Sequence, residues 1–334
     1  MAIKVFLKKP PTMTLLVALI IYLSSFYIQN LRVNGSSIFL NLSTDKQVYD
    51  VGDFVTVTGN VSVDGSPVTD ALVAIQVDSP YQTLYILRTV QTGEITQQNW
   101  EVNITEVIPC DSHGNPKYTF MKGELAYAKI AWKNYANEPK YIVVALYIEY
   151  STKAPCKAYF PLKGTAQPGS QFIISPFEIP SDAPFGMAKI YANIYTNEPK
   201  EGGVPYCPEK MATFEISSSS GGSSSAQGIE ENNPNSNFIL NFLLWRAKTG
   251  TYYVYASTSY LETQVSNSLT FGVMLLGDID NNGRVDMIDI GLVCDAFGSE
   301  PDDPNWNENA DINVDGRVDM IDIGLVCDNF GLSE

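Results

Sequence analysis

Polar and apolar positions follow three different rhythms along the chain. Lys4, Lys8 and Lys9 precede an uncharged apolar run from Met13 to Ile28. A basic flank followed by an apolar stretch is the pattern of an export segment. The run is slightly shorter than the roughly 20 residues of a perpendicular span. No convincing small-x-small cleavage site follows it, so residues 1–32 read as a signal peptide or an uncleaved transmembrane anchor, helical in either case. Basic residues on the N-terminal flank place everything after residue 33 outside the cell.

From residue 40 the rhythm shortens to two. Val55, Val57, Val61 and Val63 alternate with polar residues around Gly59-Asn60, read as a turn, and Asp64-Gly65 is a hairpin signal. Pro67 to Val77 reads as the next strand. Further strand signals lie at 100–108, 125–133, 141–149, 171–174, 186–196 and 211–217, separated by turn residues. Serine and glycine then dominate 217–228, a linker composition. Strand patterns resume near 241–258 and at Leu269–Leu276.

The last rhythm is helical and occurs twice. Ile288, Leu292 and Val293, then Ile321, Leu325 and Val326, recur at helical spacing, and Gly298 and Gly331 stand where a helix stops. They belong to two near-identical stretches, GDIDNNGRVDMIDIGLVCDAFG (277–298) and ADINVDGRVDMIDIGLVCDNFG (310–331). Each fits a calcium loop with oxygen ligands at positions 1, 3, 5, 9 and 12, a backbone carbonyl at 7 and glycine at 6. In the first loop the candidates are Asp278, Asp280, Asn282, Arg284 (through its carbonyl), Asp286 and Asp289. In the second they are Asp311, Asn313, Asp315, Arg317 (through its carbonyl), Asp319 and Asp322. Glycine at 283 and 316 permits the sharp turn that brings alternate carboxylates inward.

A duplicated loop–helix with no helix entering the first loop resembles a type I dockerin, and the DPNWNENAD connection is similar to that of archaeal dockerin-like modules. The resemblance implies two Ca²⁺ ions and a cohesin-like surface protein as partner. It places the docking contacts near loop positions 10 and 11, here Met287, Ile288, Met320 and Ile321. Cellulosomal dockerins often carry Ser/Thr pairs there, so this chain departs from that pattern. An apolar pair suits a hydrophobic interface, and equally a small core. The same pseudo-two-fold leaves open a Cys294–Cys327 disulfide.

TDKxxYxxGDxVxVxGxV and GxPVxxAxVxIxV, over residues 44–77, resemble a macroglobulin-type Ig-like surface domain. Its expected closing hairpin, AKTGTYYVYAST, appears only at 247–258. The expectation is a mainly β chain: a discontinuous Ig-like β-sandwich (37–96 plus 236–274) with a second β-sandwich inserted (97–217). A linker (218–235) and a small α calcium-binding dockerin-like domain (277–334) complete it.

Charge sharpens this picture. The formal net charge of the 334 residues is −16, and 277–334 alone holds fifteen Asp/Glu against two Arg. So dense an acidic segment repels itself unless cations sit in it. The balance disfavours nucleic acid as a partner. Sequons at Asn34, Asn41, Asn60 and Asn103 mark candidate glycosylation sites and agree with export. The five cysteines show no zinc spacing.

Catalytic groupings are scarce. His113, the single histidine, lies in a turn-like CDSHGNPKY stretch, and no nucleophile elbow or phosphate loop is present. The expected function is therefore non-catalytic: a cell-surface protein, secreted or anchored through its N-terminus, that docks a cohesin-like partner with Ig-like domains as stalk or spacer. Two alternatives accompany it. One is a carbohydrate-binding accessory of an extracellular polysaccharide-degrading complex, with glycan as a further partner. The other is a filament or surface-layer subunit.

Overall fold

The computed structural model of the chain describes residues 37–95, 99–218, 236–260 and 262–333. The export segment 1–32, the sequon at Asn34 and most of the Ser/Gly linker lie outside these residues. No helix among the described residues is long and apolar enough to cross a membrane.

Alternating residues build β1 (Ile38–Thr44), β2 (Val48–Asp50), β3 (Phe54–Val63), β4 (Ser66–Pro67), β5 (Leu72–Asp78) and β6 (Leu84–Gln91). The middle of the chain gives β7 (Val102–Cys110), β8 (Thr119–Met121), β9 (Leu125–Asn134), β10 (Lys140–Tyr150), β11 (Pro155–Ala166), β12 (Gly169–Glu178), β13 (Gly186–Tyr195) and β14 (Lys210–Ser217). Strands β15 (Asn237–Leu243), β16 (Gly250–Tyr260) and β17 (Thr263–Met274) follow the linker. They rejoin the first group: β15 pairs with β3, β16 with β5, and β17 runs parallel to β2. The resulting sheets are β1-β3-β15 and β2-β17-β16-β5-β6. Strands β7–β14 form two others, β12-β9-β7 and β11-β10-β13-β14-β8. The chain is thus mainly β, as its pattern implies.

Two features differ from the expectation. Gly59-Asn60 is no turn. β3 runs through it unbroken, and a Cβ at Gly59 would lie 2.3 Å from the Phe238 ring and 2.2 Å from the Asn41 carbonyl. Glycine there admits the fully buried Phe238, a packing role. The turn lies at Asp64-Gly65, both with positive φ (49° and 80°), as the hairpin signal requires. Strand β11 is absent from the expectation because Pro161 and Gly164 interrupt its pattern. Pro161 is tolerated because β11 is an edge strand, pairing only with β10, and a register shift lies between the Val144–Leu162 and Leu146–Tyr159 pairs.

β10 is buried on both faces. Ile142, Val144, Leu146 and Ile148 enter one core, while Val143, Ala145 and Tyr147 join the cluster of Val73, Ile75, Val77 and Phe238. The two pairs of sheets are therefore stacked with apolar contact between them. A salt bridge locks the contact. Arg88 of β6 meets Glu209 at 2.8 Å, with side chains only 10% and 1% exposed. Glu209 also accepts from the Thr89 N–H (3.2 Å) and Asn193 Nδ2 (2.9 Å), and the Arg88 guanidinium lies 3.6 Å from the Tyr191 ring centroid. Asn41 donates to Asn60 Oδ1 across β1 and β3 (3.0 Å), so these two sequon side chains face one another; Asn103 is half-buried on β7.

After β17 the chain turns helical: α1 (Met287–Ala296) and α2 (Met320–Asp328). They share a small core of Leu275, Ile279, Val285, Val293, Ala296, Ala310, Val318 and Val326.

Candidate metal centre

The first loop winds about its own carboxylates. Asp278 Oδ1 and Oδ2 accept from the N–H groups of Asn282 (3.0 Å) and Gly283 (2.8 Å). Asp280 accepts from the Asn282 N–H at 3.1 Å and from its Nδ2 at 3.0 Å. Gly283 is left-handed at φ 82°, the conformation for which glycine carries no Cβ penalty. At the far end Asp286 caps α1, accepting from the Ile288 N–H at 2.7 Å. Asp289 is fully buried and closes the circle. Its Oδ1 accepts from Ile279 (2.7 Å) and Asp280 (3.3 Å), and its Oδ2 from Asp286 (2.7 Å).

The second loop repeats this wiring. Asp311 accepts from Asp315 (3.1 Å) and Gly316 (2.9 Å). Buried Asp322 accepts from Ile312 (2.8 Å), Asn313 (3.2 Å) and Asp319 (2.8 Å), and Asp319 caps α2 through the Ile321 N–H (2.7 Å). Asn313 accepts from the Asp315 N–H at 3.0 Å. At position 4 both loops carry a left-handed residue, Asn281 (φ 57°) and Val314 (φ 55°). The loops are joined symmetrically through their position-8 valines. Val285 bonds to Gly331 and Leu332 (2.8 and 3.0 Å), and Val318 to Gly298 and Ser299 (2.8 and 3.1 Å).

The residues fit a hard cation. One oxygen each from Asp278, Asp280 and Asp289 lies within 4.8 Å of the others. Among the described residues no lysine or arginine is ion-paired with them. Burial, and beyond it the charges of Asp289 and Asp280, push the Asp278 carboxyl above its ordinary range, against backbone hydrogen bonds that lower it. Concentrated negative oxygen without a counter-charge is what a Ca²⁺ ion of six to eight oxygen ligands stabilises. In the second loop Asn313 stands at position 3 in place of a carboxylate, and its acids are Asp311, Asp315, Asp319 and Asp322; the first loop carries its amide at position 5, Asn282. Arg284 and Arg317 occupy position 7, where only the carbonyl is asked to serve.

The pairs at positions 10 and 11 face outward. Met287, Ile288, Met320 and Ile321 are 67%, 57%, 67% and 56% exposed. Cys294 and Cys327 are free, exposed thiols, so the disulfide left open by the sequence is absent. The second task of Asp289 and Asp322, closing a capping box with Asp286 and Asp319, went unread in the sequence. The Asp-x-x-Asp spacing at each helix start is the signal that could have shown it.

Away from the tail, His113 is exposed in a turn held by Asp111, which accepts from the N–H groups of His113 (2.8 Å) and Asn115 (3.0 Å). A shallow open cleft is lined by Cys156, Lys157, Glu178, Ser181, Asp182 and Arg246. Burial pushes the Cys156 thiol up, away from the thiolate that nucleophilic chemistry needs.

Residues 276–330 match the family model of the dockerin type I domain. No curated protein sequence matches the chain. Solved structures resemble parts of it. An alkylpurine DNA glycosylase of Pseudomonas fluorescens is 18% identical at TM-score 0.28, over 36% of this chain and 32% of that one. A Listeria innocua β-glucosidase is 10% identical at TM-score 0.24, over 41% and 18%. A Salmonella alpha-2-macroglobulin is 13% identical at TM-score 0.26, over 53% and 16%. The chain therefore spans a third or less of each of these proteins. With its paired loops, capped helices and family match, the segment 276–330 is a dockerin type I domain, the kind of module that binds a cohesin-like protein.

Proposed function

We propose that this chain is a non-catalytic extracellular docking protein. Both loops hold Ca²⁺, through Asp278, Asp280, Asn282, the Arg284 carbonyl, Asp286 and Asp289, and through Asp311, Asn313, Asp315, the Arg317 carbonyl, Asp319 and Asp322. The ions neutralise the acids and fix the first turn of α1 and α2. Those turns hold the docking residues. The stacked sandwiches serve as a stiff stalk, and the N-terminal segment exports or anchors the molecule.

The observation that carries this reading is the outward stance of Met287, Ile288, Met320 and Ile321, each more than half exposed at equivalent places in the two repeats. Large apolar side chains exposed in matched pairs mark an interaction surface. A calorimetric binding assay of the full chain against a panel of purified cohesin modules tests it. Binding in calcium that is lost with Ile288→Asp plus Ile321→Asp supports the reading. Equal binding by that variant, or by chelated protein, contradicts it.

A further inference from the structure

The docking module has no slack between itself and the sandwich. β17 ends at Met274 and the first loop begins at Asp278. Between them Leu275 is only 7% exposed and belongs to the core of the tail. Val51, in the turn after β2, is half-buried and packs against two cores at once, that of the first sandwich and that of the tail. Around it the backbone is tied on three sides. The Val51 N–H donates to the Met274 carbonyl (2.9 Å), the Gly52 N–H to Leu244 (2.8 Å) and the Gly272 N–H to Gln47 (2.8 Å). A Cβ at Gly277 would come within 3.3 Å of the Val326 Cα and 3.4 Å of Val285, so the connecting chain itself lies against the helix of the second repeat. The described residues from Ile38 onward form one compact unit.

Taking these contacts together, we propose that Val51 and Leu275 form a joint through which calcium loading of the tail is transmitted to the parallel β2–β17 pair. The inference rests on the calcium reading above. Without metal, repulsion among Asp278, Asp280 and Asp289 loosens the loop and the small core around Ile279 and Val285. Leu275 then loses packing partners, and Val51 loses one of its two. The short β2–β17 pair, only three residue pairs long, opens more often. With metal the joint closes, and the docking face is held at a fixed angle to the stalk. A module on a flexible tether would leave the sandwich indifferent to calcium.

Hydrogen exchange read by mass spectrometry on the full chain, in calcium and in chelator, tests this. Calcium is expected to slow exchange at Val51, Gly52 and Gly272 by roughly tenfold or more, as local opening is suppressed, while β9 and β12 exchange alike in both. In Val51→Ala the loop amides of Ile279, Asn282 and Gly283 should still gain protection from calcium, and Gly52 and Gly272 should not. Unchanged exchange at Val51, Gly52 and Gly272 beside calcium-protected loop amides overturns the joint and leaves the calcium reading standing. Persistent protection of Gly52 and Gly272 in Val51→Ala also overturns it. If the loop amides themselves ignore calcium, the calcium reading falls and the joint with it.

Discussion

Replacing Asp289 by alanine removes a buried carboxylate that does two jobs. It accepts three backbone hydrogen bonds, from Ile279, Asp280 and Asp286, and in the calcium reading proposed above it supplies the position-12 oxygen of the first loop. Hydrogen bonds to a charged group contribute about 1.5–3 kcal/mol each, and buried donors left unpaired cost about 1–3 kcal/mol. The three bonds share one residue and the 3.3 Å contact is weak, so their loss amounts to about 3–5 kcal/mol rather than the full sum. An opposing effect acts in the metal-free protein. There the substitution also removes one of three crowded negative charges, which offsets part of the loss. The destabilisation should therefore be larger in calcium than in chelator. Thermal unfolding followed through Trp306, which packs against the core of the tail, measures it. The signal is separated from the other tryptophans by comparison with Trp306→Phe. Equal destabilisation in both conditions, or none in calcium, refutes the metal role of Asp289.

Three further outcomes follow from the same structure. Arg88→Ala leaves Glu209 buried without its cation and should cost about 3–5 kcal/mol in chemical denaturation; a loss under 1 kcal/mol would show that the two sandwiches do not depend on this pair. In chelator, Asp278 adds stability that is fully present below the ordinary 3.8 and is lost as the pH rises through its raised value. Calcium reverses the trend, because protons compete with the ion, so affinity by calorimetry should fall on acidification; pH-independent affinity contradicts this. Cys294 and Cys327 should react with a thiol reagent in the native protein, while fully buried Cys110 and Cys207 wait for unfolding. Native labelling of the buried pair ahead of the tail thiols contradicts the packing.

What could be read from the sequence was what depends on neighbours in the chain. The loop carboxylates fall at fixed offsets because one tight turn sets their directions, so the gathering of Asp278, Asp280 and Asp289 was legible without any tertiary knowledge. The same holds for Asp64-Gly65 and for Gly298 and Gly331, whose positive φ is a local property. Distant contacts were less legible. Gly59 resembled a turn residue until Phe238, far along the chain, filled the space it leaves. The outward stance of Met287 and Ile288 depended on which side of each helix the shared core takes, and periodicity leaves that open at a helix start. The unbroken apolar run Ile142–Ile148 did carry a signal, since a strand covered on one face alternates, and this one is covered on both. Pro161 concealed β11 because a proline rule for central strands does not hold at an edge.

Titration calorimetry with calcium on the full chain reads out directly whether the two loops hold the ion. Two ions should bind per chain, one in Asp289→Ala and none when Asp322→Ala is added. Failure of the native protein to take up calcium, or an unchanged ion count in the double variant, would contradict it.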